Sequence, residues 1–124
     1  EARNILPENI NLKSAVAQWG NVGALILGFM SNDNNLIKKS MEDFIIEPVR
    51  STLIEGFDVI KNNALELGAL GSGISGSGPT IFALCTSESI ADKILKSSQS
   101  YYNSINMQCD IFLSKINTKG PTIL

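Results

Sequence analysis

The sequence predicts an α+β fold, a two-layer sandwich of helices on a mainly antiparallel sheet. Three observations carry that expectation. Apolar residues recur at helical spacing in three successive segments of the first half. A glycine-rich bend then separates two β-type runs. The last third adds another segment of helical spacing and ends in strict alternation.

Residues 1–10 are mixed and contain Leu6-Pro7, which suits an extended lead-in. Asn11 can cap a helix beginning at residue 12, and Ala15, Trp19, Val22, Ile26 and Phe29 predict an amphipathic helix over residues 12–30. Leu25 and Leu27 widen its apolar stripe, so much of this helix is expected to be buried. Ser31-Asn32-Asp33-Asn34 breaks it, and a shorter helix over residues 35–43 carries Leu36, Ile37, Ser40 and Met41 on one face, with Phe44 continuing it. Pro48 is expected to push Glu47 out of the α region, which places Glu47-Pro48-Val49-Arg50-Ser51 in a connection or at the start of a short helical turn.

Residues 56–67 repeat Phe57, Ile60, Ala64 and Leu67 at spacings of three and four, and Gly68 stops that helix. Strands are expected over residues 69–74 and 80–85, joined by the glycine-rich bend. Ser87 then caps a helix that turns Ile90, Ile94, Leu95, Tyr101 and Tyr102 inward. Residues 107–116 set Met107, Cys109, Ile111 and Leu113 against Gln108, Asp110, Phe112 and Ser114, which is strand period. If the strands before and after the last helix lie parallel in one sheet, their connection crosses over with the right-handed sense. Trp19, Phe29, Tyr101 and Tyr102 sit at helical spacing and read as core, not as a platform for a cofactor. Residues 1–124 read as a single domain without repeat or linker.

Composition narrows the function classes. With 44% hydrophobic and 18% charged residues the chain reads as an ordinary soluble globular protein. Its ten Lys and Arg are scattered and the net charge is −2, so there is no basic field to attract nucleic acid or an acidic membrane surface. The longest apolar stretch, around residues 22–30, is interrupted by glycine and is too short to span a bilayer. Cys85 and Cys109 fall inside predicted strands and are expected as buried, reduced thiols. No histidine is present, so chemistry by these residues would run on carboxylates, Lys, Arg and backbone dipoles.

Gly68, Gly71, Gly73, Gly76 and Gly78, with Ser72, Ser75 and Ser77 among them, give the bend more backbone freedom than a plain turn needs. Gly71-x-Gly73-x-x-Gly76 matches the dinucleotide-binding string, but a proline and a β-type run stand where that mechanism requires a helix N-terminus. No Gly-Lys-Ser/Thr ending makes it a Walker A loop either.

Gly71-Ser72-Gly73-Ile74-Ser75-Gly76-Ser77-Gly78-Pro79 resembles the third motif of the GHMP small-molecule kinases. Ala2-Arg3-Asn4-Ile5-Leu6-Pro7, Glu47-Pro48-Val49-Arg50 and Gly120 are similar to the homoserine kinases of that superfamily. The resemblance covers essentially the whole chain, as the C-terminal, substrate-side domain, of ferredoxin-like type, of a larger cytoplasmic enzyme. It implies ATP-dependent phosphorylation of the L-homoserine hydroxyl on the route to threonine, with ATP and Mg²⁺ bound mainly by an N-terminal domain, and an inactive chain when alone. The family's Pro-x-x-x-Gly-Leu-Gly-Ser-Ser phosphate loop has no counterpart in these residues.

The resemblance also implies Arg3 and Arg50 as substrate-binding residues, since a guanidinium offers a planar fork that matches the two oxygens of an amino-acid carboxylate. It implies Ser75, Gly76, Ser77 and Gly78 as an active-site loop whose N–H groups and hydroxyls approach the phosphate-binding loop or the substrate. No catalytic base and no metal ligand is assigned. Glu47 would orient Arg50, cap a helix or remain solvated. Another GHMP kinase, acting on mevalonate or a sugar, and a non-catalytic α/β binding module are the alternatives. The family's domain begins with a strand just ahead of the Ala-Arg segment, which is missing here, and the sequence opens on Glu1, so a piece of a longer polypeptide is expected. Loss of that strand would leave a sheet edge through which the chain could form a homodimer.

Overall fold

The computed structural model describes residues 4–120. Among the described residues five α-helices accompany one antiparallel pair of strands, an α+β arrangement. The helices are α1 (Leu12–Ser31), α2 (Asn34–Ser40), α3 (Glu47–Arg50), α4 (Phe57–Glu66) and α5 (Glu88–Ser104). The strands β1 (Gly71–Ile74) and β2 (Ile81–Leu84) lie between α4 and α5.

The helix ends are set by short polar side chains. Asn11 caps α1 by accepting a hydrogen bond from the Lys13 N–H at 2.8 Å. Asn32 ends that helix in the left-handed region, and Asp33 caps α2 through the N–H groups of Asn35 and Leu36, both at 3.0 Å. Ser87 caps α5 through the Ile90 N–H. Glu47 opens a short helical turn, one of the two expected placements of this segment, although it stands in the α region from which Pro48 was expected to push it. Pro48 falls within the first turn of α3, where its missing N–H would have had no intrahelical partner and its fixed φ suits the helix.

The strands pair as the hairpin reading requires, with Gly71 opposite Leu84 and Ile74 opposite Ile81. Ser72, almost fully buried, donates its hydroxyl to the Phe82 carbonyl at 2.7 Å. Ala64 of α4, Ala69 and Ile94 of α5 form a small core, closed by Leu67, Cys85 and Ile90. Met41, just past α2, lies against Gly71, where an added Cβ would come within 2.6 Å of its Sδ and 2.7 Å of its Cβ. The Met41 Cβ is fixed to backbone and cannot retreat. Gly71→Ala is therefore expected to destabilise the full-length protein by about 1–3 kcal/mol, read from chemical denaturation.

Several expectations fail. Residues 107–116 form no strand, so the strand-helix-strand crossover does not exist and the described sheet has two strands. Alternation specifies which side chains share a face but supplies no hydrogen-bonding edge. This segment finds none, and Phe112 and Ile116 stand exposed. The apolar stripe of α1 also points outward. Trp19 and Phe29 are exposed, not core, while the helix turns Ala15, Gly28 and the half-buried Gln18 and Asn21 inward. Asn21 donates to the Glu42 carbonyl and Gln18 accepts from the Phe44 N–H, so polar bonds hold this face against residues 42–44. Tyr101 and Tyr102 are half-buried, ring edge against ring face at 5.5 Å. Cys85 and Cys109 are free thiols, half-buried where full burial was expected. No helix among the described residues is long and apolar enough to cross a membrane.

Candidate active site

The bend between β1 and β2 is built from its backbone. The Ser75 N–H donates to the Thr80 carbonyl at 2.8 Å and the Gly78 N–H to the Ser75 carbonyl at 3.1 Å, which closes the turn. Gly76 sits inside it at φ +62°, a conformation that a side chain would disfavour. Gly78 is likewise at positive φ, and the Gly78–Pro79 peptide is cis. Ser75, Gly76 and Ser77 are exposed, and among the described residues the N–H groups of Gly76 and Ser77 donate no backbone hydrogen bond.

Arg50, at the end of α3, reaches this bend. Its Nη1 donates to the Gly76 carbonyl at 3.0 Å, across 26 residues of sequence. The arginine is half-buried, so its position is fixed by packing as well as by that bond. Of the residues named from the sequence, Arg50 and the four-residue loop are thus brought together. Arg3 lies outside the described residues.

What anchors α3 is an ion pair that sequence reading missed. Lys61 of α4 bonds through Nζ to the Glu47 Oε1, and the two side chains are only 18% and 13% exposed. Glu47 lies over Gly73 of β1, so its carboxylate is neither solvated nor directed at Arg50. The signal was present. Lys61 stands four residues after Phe57 and three before Ala64, which puts a charge in the apolar stripe of α4. Such a lysine needs a buried partner, and Glu47 is the carboxylate that the Glu-Pro-Val-Arg segment supplies.

Beside the pair is a cavity of about 180 Å³, whose wall includes Gln18, Asp43, Glu47, Ser72, Gly76 and Phe82. It opens next to the carbonyl that Arg50 grips. A larger, open depression of about 540 Å³ lies between the end of α5 and residues 107–110 and shares no residue with this cavity. It is the trough beside the unpaired tail, and no cationic side chain lines it. No three or more His, Cys, Asp or Glu converge among the described residues, so these residues do not by themselves fit a metal ion.

Residues 21–104 match the family described as GHMP kinases C terminal, and the chain belongs to that family. Its relatives carry a narrower name. It is 46% identical to a homoserine kinase of Chloroherpeton thalassium over 124 residues and 43% identical to one of Chlorobium phaeobacteroides over 125. Each comparison takes in 99% of this chain but 39% of the relative. The crystal structure of homoserine kinase from Cytophaga hutchinsonii superposes with a TM-score of 0.93 at 53% identity, over 99% of this chain and 39% of that one. The chain therefore spans about two-fifths of the length of the proteins it resembles.

Proposed function

We propose that this chain is the substrate-side part of a homoserine kinase, which moves the γ-phosphoryl group of ATP to the side-chain hydroxyl of L-homoserine, a step towards threonine. The likeness to homoserine kinases over the whole chain supports the reaction. The bond from Arg50 to the Gly76 carbonyl is the observation that carries the site, because it puts a cation fit for a carboxylate against a bend fit for a phosphoryl group.

Phosphoryl transfer demands positioning and electrostatic stabilisation more than covalent chemistry. A guanidinium carries its N–H donors in a planar fork, which suits it to a bidentate grip on a carboxylate. Arg3 is proposed as the second cation on that carboxylate. The exposed N–H groups of Gly76 and Ser77, with the hydroxyls of Ser75 and Ser77, face charge developing on the transferred oxygens. ATP and Mg²⁺ are assigned to the part of the full-length protein beyond this chain, and the 124 residues alone are expected to turn over no ATP. Cytoplasmic location belongs to the same reading; a homodimer is proposed for this chain alone, through the sheet edge that the absent first strand would leave.

The test is a panel of acceptors given to the full-length protein with ATP and Mg²⁺, with ADP release as the readout. L-homoserine should be the productive acceptor. Turnover of mevalonate or galactose with L-homoserine inert would assign the chain to another branch of the superfamily.

A further inference from the structure

Helix α1 is amphipathic the wrong way round for a chain that ends its packing at its own core. Leu12, Val16, Trp19, Ile26, Leu27 and Met30 share the outward face, with Trp19 64% and Met30 80% exposed. The inward face presents Ser14, Gln18, Asn21 and Leu25. Lys13 is the only charged residue in the twenty of this helix. The exposed side chains keep a spacing of four and three, Leu12, Val16, Trp19, Gly23, Ile26, Met30, which is the seam of a helix that packs along its length against another element.

Two further features favour a partner. All six side chains are 55% or more exposed on one face of a single helix, an apolar patch of the kind that marks an interaction site. Gly20 and Gly23 interrupt the helix on or beside this face, where an added Cβ would meet nothing within 4 Å. Glycine inside a helix costs stability relative to alanine, and no contact among the described residues explains it at these positions. A missing Cβ on a packing seam lets a second backbone come close.

We infer that the outward face of α1 is the surface on which the N-terminal remainder of the full-length polypeptide packs. The matched family is a C-terminal one, and most of each relative's length lies beyond this chain, so a tethered occupant of ample size exists in every molecule. The face carries no charge, so its complement is an uncharged apolar element. The inference is independent of the kinase reading and would stand if the enzyme phosphorylated a different alcohol.

The experiment uses the full-length protein with Trp19 replaced by the photo-crosslinker p-benzoylphenylalanine. Irradiation should give an intramolecular cross-link that migrates as monomer under denaturing conditions and maps to peptides preceding this stretch. A cross-linked dimer would overturn the inference in favour of a second copy, and the absence of any cross-link would leave the face bare and overturn it outright. A milder pair guards against misfolding. The thiol of Val16→Cys should react with a maleimide at least about tenfold more slowly than that of Lys39→Cys on exposed α2, whereas equal rates would contradict the proposal.

Discussion

Arg50→Ala in the full-length protein is expected to raise the KM for L-homoserine by roughly 30- to 150-fold while kcat changes by less than about threefold. The reasoning is energetic. A charge-assisted, bidentate grip on a carboxylate is worth about 2–3 kcal/mol, and each 1.4 kcal/mol is a factor of ten. An interaction made equally to the bound substrate and to its transition state appears in KM and leaves kcat in place. Arg50→Lys keeps the charge but loses the planar fork, and should recover only part of the affinity. Because Arg50 also holds the Gly76 carbonyl, some loss will come from a looser bend. A thermal melt separates that contribution, since it lowers stability as well as affinity. Steady-state kinetics with an unchanged KM would remove Arg50 from the substrate site.

The second large effect concerns stability. Lys61→Ala is expected to cost about 3–5 kcal/mol, because it leaves the largely buried Glu47 carboxylate without its countercharge. That is a large share of the roughly 5–15 kcal/mol that holds an ordinary domain folded. The double variant Glu47→Gln with Lys61→Met should recover most of the loss, since removing both charges avoids the desolvation that an unpaired one suffers. Denaturant midpoints of the full-length protein measure both. A cost below about 1 kcal/mol for Lys61→Ala would mean that water reaches the pair and that α3 is held in some other way.

Much of this architecture could be read from local chemistry. Asn11 and Ser87 cap the helices they precede, and Gly68 stops α4, because capping and termination depend on neighbours within a few residues. The hairpin was legible for the same reason. What escaped depends on partners remote in sequence. The alternation at residues 107–116 is real, but a strand also needs an edge to pair with, and no local pattern says whether one is offered. The stripe on α1 is equally real, and periodicity cannot tell which side of the helix meets the rest of the chain. At the site, motif resemblance singled out Arg50 and the bend separately, and only the structure joins them. Lys61 was overlooked because a charge in an apolar stripe was read past, not because the sequence hid it.

The account rests on Arg50 reading a carboxylate at the glycine bend, and a substrate comparison isolates that contact. Full-length wild type and Arg50→Ala would each be assayed with L-homoserine and with 3-aminopropan-1-ol, the same alcohol without its carboxylate, and the preference between them taken as a ratio of kcat/KM values. The predicted result is a preference that falls by roughly 30- to 150-fold in the variant, because only the substrate bearing a carboxylate has something to lose. A variant that loses activity equally on both alcohols, leaving the ratio unchanged, would contradict the assignment.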